Sequence, residues 1–257
     1  MSTWAFEPIG VVHSCFTEKF GTPKQGRISP NSQAVVELAK HLDPTPLLDG
    51  LESFSHIWLI WVFHANQNQT PKTKVRPPRL EGEKAGVLAS RSPHRPNPIG
   101  LSAVRLDRVV GNQLFVSGVD LISGTPILDI KPYIGQWDAI TEANDGWLAD
   151  HPDQQHPVRF SGESIADLKD LESRNLLALP VEKIKAAISE CLKGDPRPIP
   201  YRRLEAEKSP HLKEGYGFQI YNLNVRFQWE DKGFLVTQVE RTTKEMTSDK
   251  GPSHRAD

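Results

Sequence analysis

Between Ala89 and Leu106 the chain reads ASRSPHRPNPIGLSAVRL, in which three X-Pro steps fall within the seven residues from Ser92 to Pro98. Each proline fixes its own φ and lacks an N–H, and each pushes the preceding residue out of the helical region. The segment is therefore a shaped loop rather than a helix or an interior strand. Its unfolded form is already restricted, so ordering it costs less entropy than usual. His94, Arg95 and Asn97 are thereby held in fixed directions. A rigid surface turn and a prebuilt ligand wall both fit this reading.

The flanks of the loop set the fold class. Before it, PIGVVHS, AVVELA and HIWLIWVFH are short runs rich in β-branched and aromatic residues, and AGVLAS leads into the prolines. The unbroken apolar character of HIWLIWVFH predicts a central strand buried on both faces. After the loop come LSAVRLDRVV, a Gly-Asn turn, QLFVSGVDLI, a Ser-Gly-Thr-Pro turn and ILDIKPYI. This meander has the spacing of a closed sheet, so residues 1–140 are predicted to form a β-barrel. Residues 141–162, with EANDGW and ADHPDQQHP, read as a linker. Two helical stripes follow: Ile165, Leu168 and Leu171, then Ile184, Ile188, Cys191 and Leu192 after Pro180. IYNLNVRFQWE and FLVTQVER flank Asp231-Lys232-Gly233 as a hairpin. The chain is thus mainly β, with a closed N-terminal barrel and a small α+β domain over 163–241. The stretch 242–257 lacks apolar periodicity and reads as a disordered tail.

Charge narrows the function classes. With 31 basic and 32 acidic residues, global charge favours neither nucleic acid nor membrane, so any basic patch is local. MSTWAFEPIG carries no leader-like pattern, and the apolar run Ile57 to Phe63 is too short for a bilayer. A cytoplasmic protein without a membrane partner is expected. Cys15 and Cys191 form neither a disulfide framework nor a metal knuckle. His56 and His64 lie eight residues apart on one strand, too far to chelate one ion at roughly 3.3 Å per residue, so no metal is expected. No GxGxxG, Walker loop, GxSxG or HExxH is present.

In ILDIKPYI, alternation puts Asp129 and Lys131 on one strand face, where they form a solvated ion pair or hold a ligand's polar head. FGTPKQG is a second proline-glycine loop, carrying Lys24 and Gln25, and VFHAN ends the apolar strand with His64. PKTKVRPPRL gathers Lys72, Lys74, Arg76 and Arg79. DPRPIPYRRLE gathers Arg197, Tyr201, Arg202 and Arg203. With Arg95, these are candidate contacts for RNA phosphates and an unpaired base, although solvated loops read the same way.

Taken in order, GTPKQG, FSHIWLIWVFH, VRPPRL, SRSPHRPNPIGLS and DLISGTPILDIKPYI resemble the TsaA-like family of β-barrel methyltransferases. The resemblance is strong over about residues 6–140, and RPNPIG with DIKPY is its specific part. DPRP and NVRF extend it into the second domain. The two-domain members of that family use S-adenosylmethionine to methylate the exocyclic nitrogen of threonylcarbamoyl-adenosine beside the anticodon of tRNA. The resemblance implies cofactor contacts at Pro23, Lys24, Gln25, His64, Ala65, Arg91, Leu101, Asp129, Ile130, Lys131 and Pro132. It also implies a homodimer. Asp129 is the candidate acceptor for the nitrogen's proton. Gly100 is expected to let the backbone approach the cofactor closely. Two other functions stay open: a methyltransferase of the same fold acting on a small molecule or protein, and a non-enzymatic sensor of S-adenosylmethionine.

Overall fold

The computed structural model describes residues 4–66, 70–198, 200–202 and 215–242. Arg203 and all of the predicted tail beyond Thr242 lie outside these residues. Strands β1 (Gly10–Ser14), β2 (Gln33–Leu38), β3 (His56–Val62), β6 (Ile99–Val110), β7 (Gln113–Ser117) and β8 (Thr125–Pro132) close into a barrel in the order β1-β2-β7-β6-β3-β8. All its pairings are antiparallel, and β8 returns to β1 with Val12 opposite Thr125. Closure leaves the barrel itself without a sheet edge. The short strands β4 (Lys74–Val75) and β5 (Ala85–Gly86) pair within the long excursion between β3 and β6.

Inside the barrel, Val12, Val36, Ile57, Leu59, Val104, Leu114, Val116 and Ile127 are almost completely buried. Strand β3 departs from expectation. Its residues alternate between buried and partly exposed, because a strand in a closed barrel has only one inward face. Trp58, Ile60 and Val62 therefore lie on the outer surface.

Past the barrel, the helical turns α1 (Pro44–Leu47) and α2 (Gly135–Asp138) are brief. The long helices are α3 (Gly162–Ser173), capped by the Ser161 hydroxyl accepting from Ser164 N, and α4 (Val181–Lys193). They pack with a four-stranded sheet ordered β10 (Tyr216–Ile220), β11 (Leu223–Glu230), β12 (Gly233–Arg241) and β9 (Val158–Phe160). β9 falls inside the stretch read as a linker and runs parallel to β12. Asp231 and Lys232 both take positive φ, as the tight β11–β12 turn demands.

The two halves meet through one continuous core. Cys15 and Phe16 from the end of β1 lie in the same buried cluster as Ile188 and Cys191 of α4 and Phe218 and Phe227 of the second sheet. Phe20 stacks on Phe227 at 6.3 Å between ring centroids. Tyr221 donates from its backbone N–H to Cys15 O at 2.7 Å and from its hydroxyl to Asn31 O at 2.6 Å. The Glu190 carboxylate of α4 accepts from Asn31 Nδ2 at 2.6 Å, Asn31 N at 3.1 Å and Ser29 Oγ at 3.2 Å.

Candidate active site at one end of the barrel

Antiparallel order brings the ends of β1, β3 and β7 and the starts of β2, β6 and β8 to one rim of the barrel. Three loops leave that rim: residues 15–32, residues 63–98 with the prolines, and residues 118–124. Pro23, Lys24, Gln25, His64, Ala65 and Arg91 all lie on them. The first and second loops touch where Arg91 Nη1 donates to the Gln25 side-chain oxygen. His64 stands over the third loop, its Nε2 3.8 Å from where a Cβ on Gly124 would lie. Desolvation, opposed by the Val62 backbone and aided by repulsion from Lys19, holds the His64 imidazole below its ordinary pKa.

Of the other candidates, Leu101 and Asp129 lie on the outer barrel wall and Lys131 further along it, whereas Ile130 sits opposite buried Leu59 and Pro132 opposite Ile57 at the end of β8 away from this rim. Pairing aligns Leu101 with Ile60 and Ile60 with Asp129 across β6, β3 and β8, and puts Lys131 opposite Trp58. Leu101 is 54% exposed, high for a leucine inside a sheet. Lys131 Nζ is 2.7 Å from Asp129 Oδ2, while Asp129 Oδ1 accepts from Ile130 N at 2.9 Å. A β-bulge sets this geometry. Trp61 pairs with Ile127 and Ile60 with Asp129, so Leu128 is the extra residue. Simple alternation would put Ile127 and Asp129 on one face; the bulge turns Ile127 into the core and Asp129 outward.

Gly100 has a different job from the one expected. A Cβ there would lie 2.3 Å from the Trp61 indole, so the glycine admits Trp61 rather than a ligand. Trp61 Nε1 then donates to Ser102 Oγ at 3.1 Å, and Ser102 Oγ donates to Asp120 Oδ1 at 2.6 Å. Asp120 was not singled out from the sequence, where it sits unremarkably in GVDLIS. Burial raises its pKa against the pull of Ser102, its own amide, the Gly26 amide and the Arg91 charge. In the proline loop, His94 Nδ1 is buried without a hydrogen-bond partner.

The basic candidates divide. Lys72, Lys74 and Arg76 are exposed, and Lys72 N donates to His94 O at 2.9 Å, tying the basic stretch to the proline loop. Arg76 Nε donates to Gly82 O at 3.1 Å, Arg95 Nη1 to Ser90 O at 3.3 Å, and Arg79 pairs with Asp153. Arg197 is a correction. It is only 4% exposed, forks onto both oxygens of Asp195 and lies 4.1 Å over the Trp229 ring, so it is a core arginine that no RNA phosphate reaches. Burial would lift the Asp195 carboxyl, yet Arg197 and then Arg202 carry it below the ordinary value. Arg202 donates to Asp195 O and Arg197 O, and Tyr201 is half-buried against the edge of Tyr216. Desolvation, then repulsion from Arg202 and from Arg79 against the pull of Asp195, depresses the Lys24 pKa. Among the described residues no His, Cys, Asp and Glu cluster is suited to a metal ion, and no helix is long and apolar enough to cross a membrane.

Comparison with known proteins places this architecture. Residues 11–139 match the family of the tRNA-methyltransferase O N-terminal domain, and residues 153–242 match that of the TrmO C-terminal domain. A tRNA (adenine(37)-N6)-methyltransferase of Escherichia coli is 35% identical, the alignment covering 93% of this chain and 99% of the relative. A mouse protein of the same name is 51% identical over 52% of this chain and 31% of its own length, so this chain spans about a third of that relative. A crystal structure of TrmO from Pseudomonas aeruginosa superposes with a TM-score of 0.73 at 32% identity, covering 93% of this chain and 99% of the other.

Proposed function

The chain belongs to the tRNA-methyltransferase O family, and on that footing we propose that it is an S-adenosylmethionine-dependent enzyme that methylates N6 of adenine 37 in tRNA. The observation that carries this reading is that both halves of the chain match the family in order, with the E. coli enzyme aligned over 99% of its own length. In finer detail, the substrate base is threonylcarbamoyl-adenosine beside the anticodon and the setting is the cytoplasm. The barrel domain ends near residue 140, and the second domain starts by β9, whose Val158–Phe160 already belong to its sheet. A homodimer forms across the outer barrel wall, where Ile99, Leu101, Trp137 and Ile140 leave apolar surface exposed.

The donor set of the rim fits S-adenosylmethionine. Leu101 and Ile60 offer apolar cover for a purine, and Asp129 offers an acceptor for an ammonium or hydroxyl. Arg91 offers a cation for a carboxylate, and His94 Nδ1 is a polar atom still to be satisfied. Pro23, Lys24 and Gln25 close the first loop over this surface, His64 and Ala65 the second, and Ile130, Lys131 and Pro132 continue strand β8 beyond Asp129. When bound, the cofactor supplies a methyl group activated by a sulfonium. The chain's own contribution is orientation, which supplies up to about 7–11 kcal/mol in favourable cases. Asp129 already accepts from Lys131 and from the Ile130 amide, so its role is an anchor rather than the proton acceptor. Lys72, Lys74, Arg76, Arg79, Arg95, Arg202 and Tyr201 are the tRNA contacts.

The purified chain with S-adenosylmethionine and tRNA from a strain lacking the modification should yield N6-methylated adenosine, read by nucleoside mass spectrometry. Cofactor binding without any methylated nucleoside would overturn the tRNA assignment. It would leave the same-fold enzyme on another substrate, or the sensor, in its place.

A further inference from the structure

The segment Gly118–Asp120 is strapped to two parts of the rim at once. On one side, Gly118 N donates to Ser32 O at 2.9 Å, Val119 N donates to Ser32 Oγ at 2.9 Å, and Ser32 Oγ donates to Val119 O at 2.9 Å. On the same side a Cβ on Gly26 would fall 2.0 Å from Gly118 O, so the end of the Pro23–Gly26 loop lies directly on this segment. On the other side, the hydrogen-bond chain from Trp61 through Ser102 ends on the Asp120 carboxylate. Gln25, next to Gly26, is the acceptor for Arg91. The carboxylate thus sits between the barrel wall and the two loops that meet at Gln25 and Arg91. Nothing in the barrel's packing needs a charge there; a neutral side chain of equal shape would fill the same space.

We propose that Asp120 is a positioning residue of the methyl-transfer site, its carboxylate drawing Arg91 and the Gly26 end of the first loop into the arrangement that receives the cofactor. The proposal rests on S-adenosylmethionine being bound at this rim. The Ser102 hydroxyl from β6 donates to the carboxylate and the Gly26 amide of the first loop faces it, while the Arg91 guanidinium, held on Gln25, is the cation that acts on it through space. Ionised Asp120 attracts Arg91, and the neutral acid or an amide does not.

This separates stability from binding, which a packing role does not do. Because burial raises the Asp120 pKa, the folded chain binds its proton more readily than the unfolded chain does. The buried charge therefore weakens the fold as pH rises from the ordinary carboxylate value through the raised one. Asp120→Asn removes that cost, so the apo variant should melt at or above the parent temperature. S-adenosylmethionine affinity, read by calorimetry on the full chain, should nevertheless fall roughly tenfold to hundredfold, the loss expected for a charged partner. KM for the cofactor should rise by a similar factor while kcat changes less. Combining Asp120→Asn with Arg91→Ala should cost little more than Arg91→Ala alone, since the two act as one unit.

If Asp120→Asn does not fold, Ser102→Ala decides: it frees the carboxylate from the wall while keeping its charge, and should weaken cofactor binding several-fold. Parent-like affinity in the variant tested overturns the proposal. So does a loss of affinity that merely parallels a loss of melting temperature, and so does full additivity with Arg91→Ala. A parent chain that binds no S-adenosylmethionine overturns the underlying functional reading instead.

Discussion

Glu190 joins the second domain to the loop that carries Pro23, Lys24 and Gln25, and replacing it with alanine tests whether that loop is held from outside the barrel. Its carboxylate accepts three hydrogen bonds, from Asn31 Nδ2 at 2.6 Å, Asn31 N at 3.1 Å and Ser29 Oγ at 3.2 Å. A hydrogen bond to a charged group contributes about 1.5–3 kcal/mol, but bonds to one shared acceptor do not add. Ser29 is fully buried, so its hydroxyl has no ready access to solvent when the carboxylate goes, whereas the half-buried Asn31 regains water. The net loss is therefore about 2–4 kcal/mol, or roughly 5–15 °C in Tm for a chain of this size. Glu190→Gln keeps an acceptor and should lose about half as much. Thermal melts give the stability, and calorimetric titration with S-adenosylmethionine at about 15 °C, near the usual stability maximum where both variants are folded, gives the affinity. Glu190→Ala should weaken cofactor binding as well as stability, because the loop it releases carries Pro23, Lys24 and Gln25, the residues proposed to contact the cofactor. A variant melting at the parent temperature, or one less stable but binding at full affinity, would refute the reasoning.

Asp129→Ala and Arg91→Ala should each weaken S-adenosylmethionine binding by about 1.5–3 kcal/mol while the far-ultraviolet dichroism of the barrel is unchanged; normal affinity in both would place the cofactor elsewhere. Arg197→Ala should destabilise the chain by up to about 3–5 kcal/mol in urea, because it takes the bidentate partner from buried Asp195 and leaves it only Arg202, yet the salt dependence of tRNA binding by the folded fraction should stay as in the parent. In contrast, charge reversal at Lys72 and Lys74 should flatten that salt dependence, by roughly 0.7–0.9 in log-log slope for each phosphate no longer neutralised. Since Arg197 and Arg202 hold the Asp195 carboxyl below its ordinary value, its contribution is present above the ordinary carboxylate pKa and fades as pH falls through the depressed one; Asp195→Asn should remove that part of the acid-unfolding curve.

The barrel was readable because its strands are punctuated by prolines and glycines and alternate in hydrophobicity, both local properties of the chain. The amphipathic stripes of α3 and α4 were readable for the same reason, with Leu168, Ile184 and Ile188 buried as their spacing predicts. What escaped depends on partners distant in sequence. The bulge at Leu128 appears only when β8 is laid against β3. Gly100 reads as a ligand contact until Trp61 is seen across the strand pair filling the space above it. Arg197 in an arginine-rich stretch looks like a phosphate ligand, and its burial follows from Asp195 and from Trp229 on β11. Asp120 opens the DLISGTP segment, but nothing local assigns it a role; its meaning comes from Ser102 and the Gly26 loop. β9 is three residues long, too short to show a period, and it exists because β12 offers it an edge.

The continuous core between the halves has a consequence for biosynthesis. Thr17 Oγ1 donates to Gln219 Oε1 across 202 positions of sequence, and Tyr221 caps Asn31 across 190. At roughly 5–20 residues per second on the ribosome, Gln219 follows Thr17 into the exit tunnel about 10–40 s later. During that interval Phe16 and Phe20 have no sheet to lie against, so the nascent barrel presents an aromatic, unclosed rim to its surroundings. Such a surface recruits chaperones or other nascent chains. Synonymous changes that slow translation between residues 140 and 215 should therefore lower the soluble yield of this protein without altering a single residue of it.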